Sequence, residues 1–139
     1  MSSSRHNLCG QKGDGTDLAW GITSGRPDVT IAITDSGMKF RDKKAMADLA
    51  DKIALNPGEL PTPQDAAGHD FDAHDRNGDG AVDMSDYSDD PRVSDRNDNG
   101  VRDPEDLILD PVFSDGRDDD RNGYVDDIAG WDFLHDDND

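Results

Sequence analysis

Asp75-Arg76-Asn77-Gly78-Asp79-Gly80 sets oxygen-bearing side chains at its first, third and fifth positions and closes on glycine at the sixth. The pattern returns in Asp95-Arg96-Asn97-Asp98-Asn99-Gly100 and again in Asp118-Asp119-Asp120-Arg121-Asn122-Gly123. Ca²⁺ is a hard cation that takes six to eight oxygens, and a chain must turn sharply to bring alternate side chains onto one ion. Three copies about twenty residues apart make a calcium-binding array the first expectation for the second half of the chain.

Extended to twelve positions, the first loop offers Asp75, Asn77, Asp79, the Ala81 carbonyl, Asp83 and Asp86. The second offers Asp95, Asn97, Asn99, the Val101 carbonyl, Asp103 and Asp106. The third offers Asp118, Asp120, Asn122, the Tyr124 carbonyl and Asp126, but Ala129 stands at its twelfth position. Asp127, or an acid from elsewhere, must complete it. Asp in place of Glu at position twelve gives a shorter arm and makes the first two loops similar to dockerin-type and extracellular loops. The expected cofactor is Ca²⁺, about three ions; Mg²⁺ fits less well because it resists dehydration and prefers fewer protein ligands. The competing reading of each loop is an Asx-turn with solvated acids.

Charge agrees with the array. The formal net charge is −19, and residues 70–139 carry −18 of it, with twenty-four acids against six bases. So acidic a stretch has little apolar area to set against the entropy of ordering, and without metal it reads as a disordered tail. Bound ions would cancel part of the charge and add their binding free energy to folding. Clustered Lys and Arg of the kind that neutralise phosphates are lacking, so no nucleic-acid partner is expected. No apolar run approaches the ~20 residues of a membrane span. Met1-Ser2-Ser3-Ser4-Arg5-His6 lacks the apolar centre of a signal peptide, so an export signal is expected to have been removed or never present. Extracellular calcium would fill weak loops that cytosolic calcium leaves empty, which favours a secreted or periplasmic protein. The lone Cys9 has no intrachain partner for a disulfide.

Ahead of the loops the chain changes character. Residues 1–16 read as a polar arm, followed by the apolar patch Leu18, Ala19, Trp20 and Ile22. Val29-Thr30-Ile31-Ala32-Ile33-Thr34 is β-branched, bounded by turn formers, and reads as a buried parallel strand ending on Asp35-Ser36-Gly37. Met46, Leu49 and Ile53 fall at helical spacing, and Asn56-Pro57-Gly58 stops that helix. A linker spaced by Pro57, Pro61 and Pro63 leads to the loops, and Trp131-Asp132-Phe133 suggests a return to a packed core.

A carboxylate just past the end of a buried strand lies where α/β folds place their chemistry, although Asp-Ser-Gly alone is also an ordinary strand-ending turn. The surrounding segments resemble the opening of the subtilisin-like serine proteases. Trp20-Gly21-Ile22-Thr23-Ser24-Gly25 precedes a strand ending in Asp35-Ser36-Gly37, as in that family. Asp48-Leu49 and Asn56-Pro57-Gly58-Glu59 are similar to its Asp-Leu and Asn-x-x-Glu stretch. Residues 118–133 resemble its Asn-Gly-Tyr-Val-Asp-Asp-x-x-Gly-Trp-Asp-Phe signature. The resemblance implies the N-terminal part of a subtilisin-like α/β parallel-sheet fold with a calcium-loop insertion. It also implies that Asp35 is the acid of an Asp-His-Ser triad, orienting a histidine and stabilising its imidazolium. The family's Gly-His-Gly-Thr-His and Gly-Thr-Ser segments are missing. A second chain carrying the remaining protease core is therefore an implied partner, with peptide or protein as substrate, and this chain alone is expected to be inactive.

The expected division is an arm over 1–16, the start of the catalytic core over 17–60, an acidic calcium-binding insertion over 61–117, and a return to the core over 118–139. Two readings compete with the endopeptidase. One is a non-catalytic, calcium-dependent protein-binding module; the other is a degenerate protease homologue kept as a scaffold.

Overall fold

The computed structural model describes residues 16–35 and 37–138. Regular structure is sparse. Helix α1 (Thr16–Ala19), helix α2 (Lys43–Leu49) with a 3₁₀ turn over Ala50–Lys52, and helix α3 (Pro104–Ile108) are joined by turns. Asp42 caps α2 by accepting the N–H groups of Lys44 and Ala45. Asp103 and Asp106 form a reciprocal capping box on α3, with Pro104 in its first turn. Two isolated antiparallel bridges, Gln64 with Asp70 and Asp132 with Asp137, are the only β pairing among the described residues.

The expected parallel-sheet α/β fold is therefore overturned. Residues 29–34 form no β pairing among the described residues, and Ile31 and Ile33 are each 78% exposed. Strand propensity records how a segment would sit in a sheet, whereas a parallel strand also needs neighbours, and no other described segment supplies one. The apolar patch expected at 18–22 is exposed as well, with Trp20 at 71%. The helix expected near Met46 is present, and Met46 is its buried residue.

The core lies between the loops. Leu55 and Leu60 pack with Met84, Tyr87, Val93, Leu107, Phe113 and Ile128, and Tyr87 meets Phe113 edge-on at 6.2 Å between ring centroids. A strict offset of 20 residues organises this layer. Tyr87 and Leu107 are equivalent, as are Val93 and Phe113, Asp86 and Asp106, and Asp90 and Asp110. Backbone bonds repeat in step: Val93 N–H donates to Asp90 O and Phe113 N–H to Asp110 O. Each unit thus contributes one loop, one turn and two apolar residues, which share one core with Leu55 and Leu60.

Residues 55–59 tie the stack together. Leu55 N–H donates to Val82 O in the first loop, and Asn56 N–H to Ile128 O near the end of the third.

Candidate metal centre

The three loops share one backbone path. The fourth position is left-handed in each, at Gly78 (φ 74°), Asp98 (φ 58°) and Arg121 (φ 62°), and so is the glycine at the sixth, Gly80, Gly100 and Gly123. Only the first loop places glycine at both. Aspartate tolerates this conformation through local hydrogen bonding, whereas arginine there is strained.

Side-chain oxygens hold the path in place. The first-position carboxylates accept the N–H of the sixth residue: Gly80 to Asp75 at 3.0 Å, Gly100 to Asp95 at 2.8 Å, and Gly123 to Asp118 at 2.9 Å. Third-position oxygens of Asn77, Asn97 and Asp120 accept the fifth N–H. Fifth-position oxygens of Asp79, Asn99 and Asn122 accept the seventh, from Ala81, Val101 and Tyr124. These bonds fix the path of each loop, and among the described residues it is the third loop that brings three carboxylates within reach of one ion.

The twelfth position closes the first two loops identically. Asp86 takes the N–H groups of Arg76 and Asn77 on one oxygen and that of Asp83 on the other. Asp106 does the same for Arg96, Asn97 and Asp103. In the third loop Glu59 fills this role from far upstream. One of its oxygens accepts the Asp120 N–H at 3.0 Å and the other the Asp126 N–H at 3.1 Å. Glu59 is 3% exposed, and burial raises its pKa despite these bonds. Ligand atoms of Glu59, Asp118 and Asp120 lie within 4.8 Å of one another, a set that could hold a metal ion. Hard carboxylate oxygens around an open loop suit a divalent cation of the calcium type.

Asn56 and Gly58 fit the Glu59 arm to the loop. The Asn56 side-chain amide donates to Asp120 at 3.0 Å and to Asp127 at 2.8 Å, and the first of these bonds holds the Asp120 carboxyl below its ordinary range. Gly58 passes so close that a Cβ there would lie 2.5 Å from that of Asp120. Asp127 also accepts from the Asn122 amide, so it orients the loop from its side. Asp126 is directed away: its two oxygens accept the N–H groups of Asp115 and Gly116. Asp83 and Asp103, at position nine of their loops, are buried, and desolvation raises both.

Glu59 was not among the ligands read from the sequence. The one signal for it was the Asn-x-x-Glu stretch, which names the residue without saying where it goes.

Asp35 lies in the wall of a pocket of about 190 Å³, together with Ile33, Met38, Phe40, Trp131 and Asp132. Trp131 Nε1 is buried there without a hydrogen-bond partner. Among the described residues His69 bonds with Asp65, His74 with the Leu60 carbonyl, and His135 with Asp132 of this pocket wall. Ser36 lies outside the described residues. No helix among the described residues is long and apolar enough to cross a membrane. Compared with models of known families, with curated proteins and with solved structures, the chain matches none of them.

Proposed function

We propose that this chain is a calcium-braced segment of an exported, subtilisin-like serine endopeptidase, with Asp35 as the triad acid and the histidine and serine carried on a second segment. The observation that carries the reading is the meeting of two motif stretches. Asn56 and Glu59, from the first, bond to Asp120, Asp126 and Asp127 of the second, across more than sixty residues. Asp35 lines one pocket with Trp131 and Asp132 of the same signature, so its three parts share one unit.

In this reading the loops take about three Ca²⁺ ions, held by the oxygens at positions one, three and five and by Asp86, Asp106 and Glu59. The ions would supply charge neutralisation and folding free energy, and no chemistry. Asp35 would accept a hydrogen bond from the partner histidine, fix its tautomer and stabilise the imidazolium form.

A second reading is a calcium-dependent binding module, favoured by a core drawn from residues 55–128 with no contribution from residues 16–35. Intact mass of the natively purified protein in calcium, repeated under denaturing conditions, separates the two. A larger chain released only on denaturation, with peptide hydrolysis by the pair, supports the endopeptidase. A lone chain that binds calcium and gains no hydrolytic activity with the missing segment supports the module.

A further inference from the structure

In so acidic a protein the stretch after Asp35 is unusual: Lys39, Arg41, Lys43 and Lys44 fall within six residues. It lies against the second loop. The Asn99 Nδ2 group donates to the Phe40 carbonyl at 2.7 Å, and Arg41 reaches Glu105 at 3.4 Å. The Lys43 ammonium sits beside Gly100, 2.6 Å from where a Cβ on that residue would be.

Asn99 faces both ways. Its Oδ1 accepts the Val101 N–H inside the loop, while Nδ2 is shared between Phe40 O and Asp103. The first loop has Asp79 at the same position, and a carboxylate has no hydrogen to donate outward. Asparagine at position five can therefore do what aspartate cannot: ligate an ion and hold a second segment at once.

We infer that an ion in the second loop fixes the stretch 39–46, which joins Asp35 to the buried core, through the Asn99 amide. The inference rests on the calcium reading above. An ion held in the loop would fix the Asn99 amide plane and polarise its N–H groups, which would strengthen the bond to Phe40. Repulsion between the ion and Lys43 acts the other way, but Lys43 is exposed and on a flexible stem, and its charge is screened. The Phe40 carbonyl is held by the turn in which Asp42 N–H donates to Lys39 O. The tether therefore dominates.

The test is amide hydrogen exchange on the full chain with and without Ca²⁺, with bound ions counted in the same samples. The amides to follow are Asp42, Lys44, Ala45 and Met46, all hydrogen-bonded in this turn and helix start. Calcium should slow their exchange by about fivefold or more. Asn99→Asp, at saturating calcium, should lose that gain. Wild-type protein that binds its ions while these amides exchange unchanged overturns the coupling and leaves the calcium reading standing. Retention of the full gain in Asn99→Asp also overturns the coupling. Protein that binds no calcium overturns both.

Discussion

The Glu59 carboxylate accepts the Asp126 backbone N–H at 3.1 Å, across 67 residues of chain. A loop with Ala129 at its twelfth position has thus acquired a closing carboxylate from the segment that precedes the whole array. The third site and the position of residues 55–59 are accordingly one structural feature, and a change in either should be felt in both.

Glu59→Gln tests this directly. The amide keeps the volume but can accept at only one atom, so one of the two N–H groups loses its partner and the carboxylate charge is gone. Calorimetric titration should show one class of calcium site weakened by at least about tenfold, with the other sites unchanged. The metal-free protein should also lose about 1.5–3 kcal/mol, read from denaturant unfolding.

Gly58→Ala acts on the same joint through space. Its new methyl carbon would need the Asp120 side chain to withdraw from 2.5 Å. About 1–3 kcal/mol of stability should be lost, and weaker binding at the third loop should accompany it. The same change at Gly116, where a Cβ meets nothing within 4 Å although φ is 82°, should cost only the backbone strain, about 1 kcal/mol. Calcium-loaded thermal melts of the two variants give the comparison.

The loops were legible in the sequence because each demands particular residue types at fixed places within twelve contiguous positions. Asp75, Asn77, Asp79 and Asp86 could be assigned roles without knowing anything beyond the loop. Glu59 could not, since its role depends on how the chain returns after sixty residues. Asp126 was assigned to the third loop by counting from Asp118, yet it also stands 20 residues after Asp106 and 40 after Asp86. The longer register prevails for its side chain, which caps residues 115–116. Residues 29–34 were misread as buried because composition reports preference for a sheet and says nothing about whether the sheet is there.

A chain beginning at Lys39 should keep the calcium-loaded core. Among the described residues none of those packed between the loops comes from before Leu55, and residues 18–35, 37 and 38 of the removed stretch are exposed. Its unfolding free energy in calcium should lie within about 1 kcal/mol of the full chain. A loss of several kcal/mol would show that the arm contributes to the core.

His135 gives a pH signature at the far end. Its Nδ1 lies 2.7 Å from Asp132 Oδ2, and that hydrogen bond, aided by the charge, raises the imidazole pKa above its ordinary 6.5. The folded value exceeds the unfolded one. The pair's contribution is therefore full below 6.5 and fades as pH rises through the raised value. Titration of the ring protons by NMR should give a midpoint above 6.5, and Asp132→Asn should return it to about 6.5.

The bare segment 29–34 has a consequence for the isolated protein in solution. Six uncharged, β-branched-rich residues without proline, with no β pairing among the described residues, make a template for stacking between molecules. Asp28 and Asp35 at its two ends, and mutual repulsion among chains of net charge −19, are what oppose it. Calcium bound as proposed above would also remove part of that repulsion. The ion that makes each molecule more stable should therefore make a concentrated solution of them more prone to fibrils.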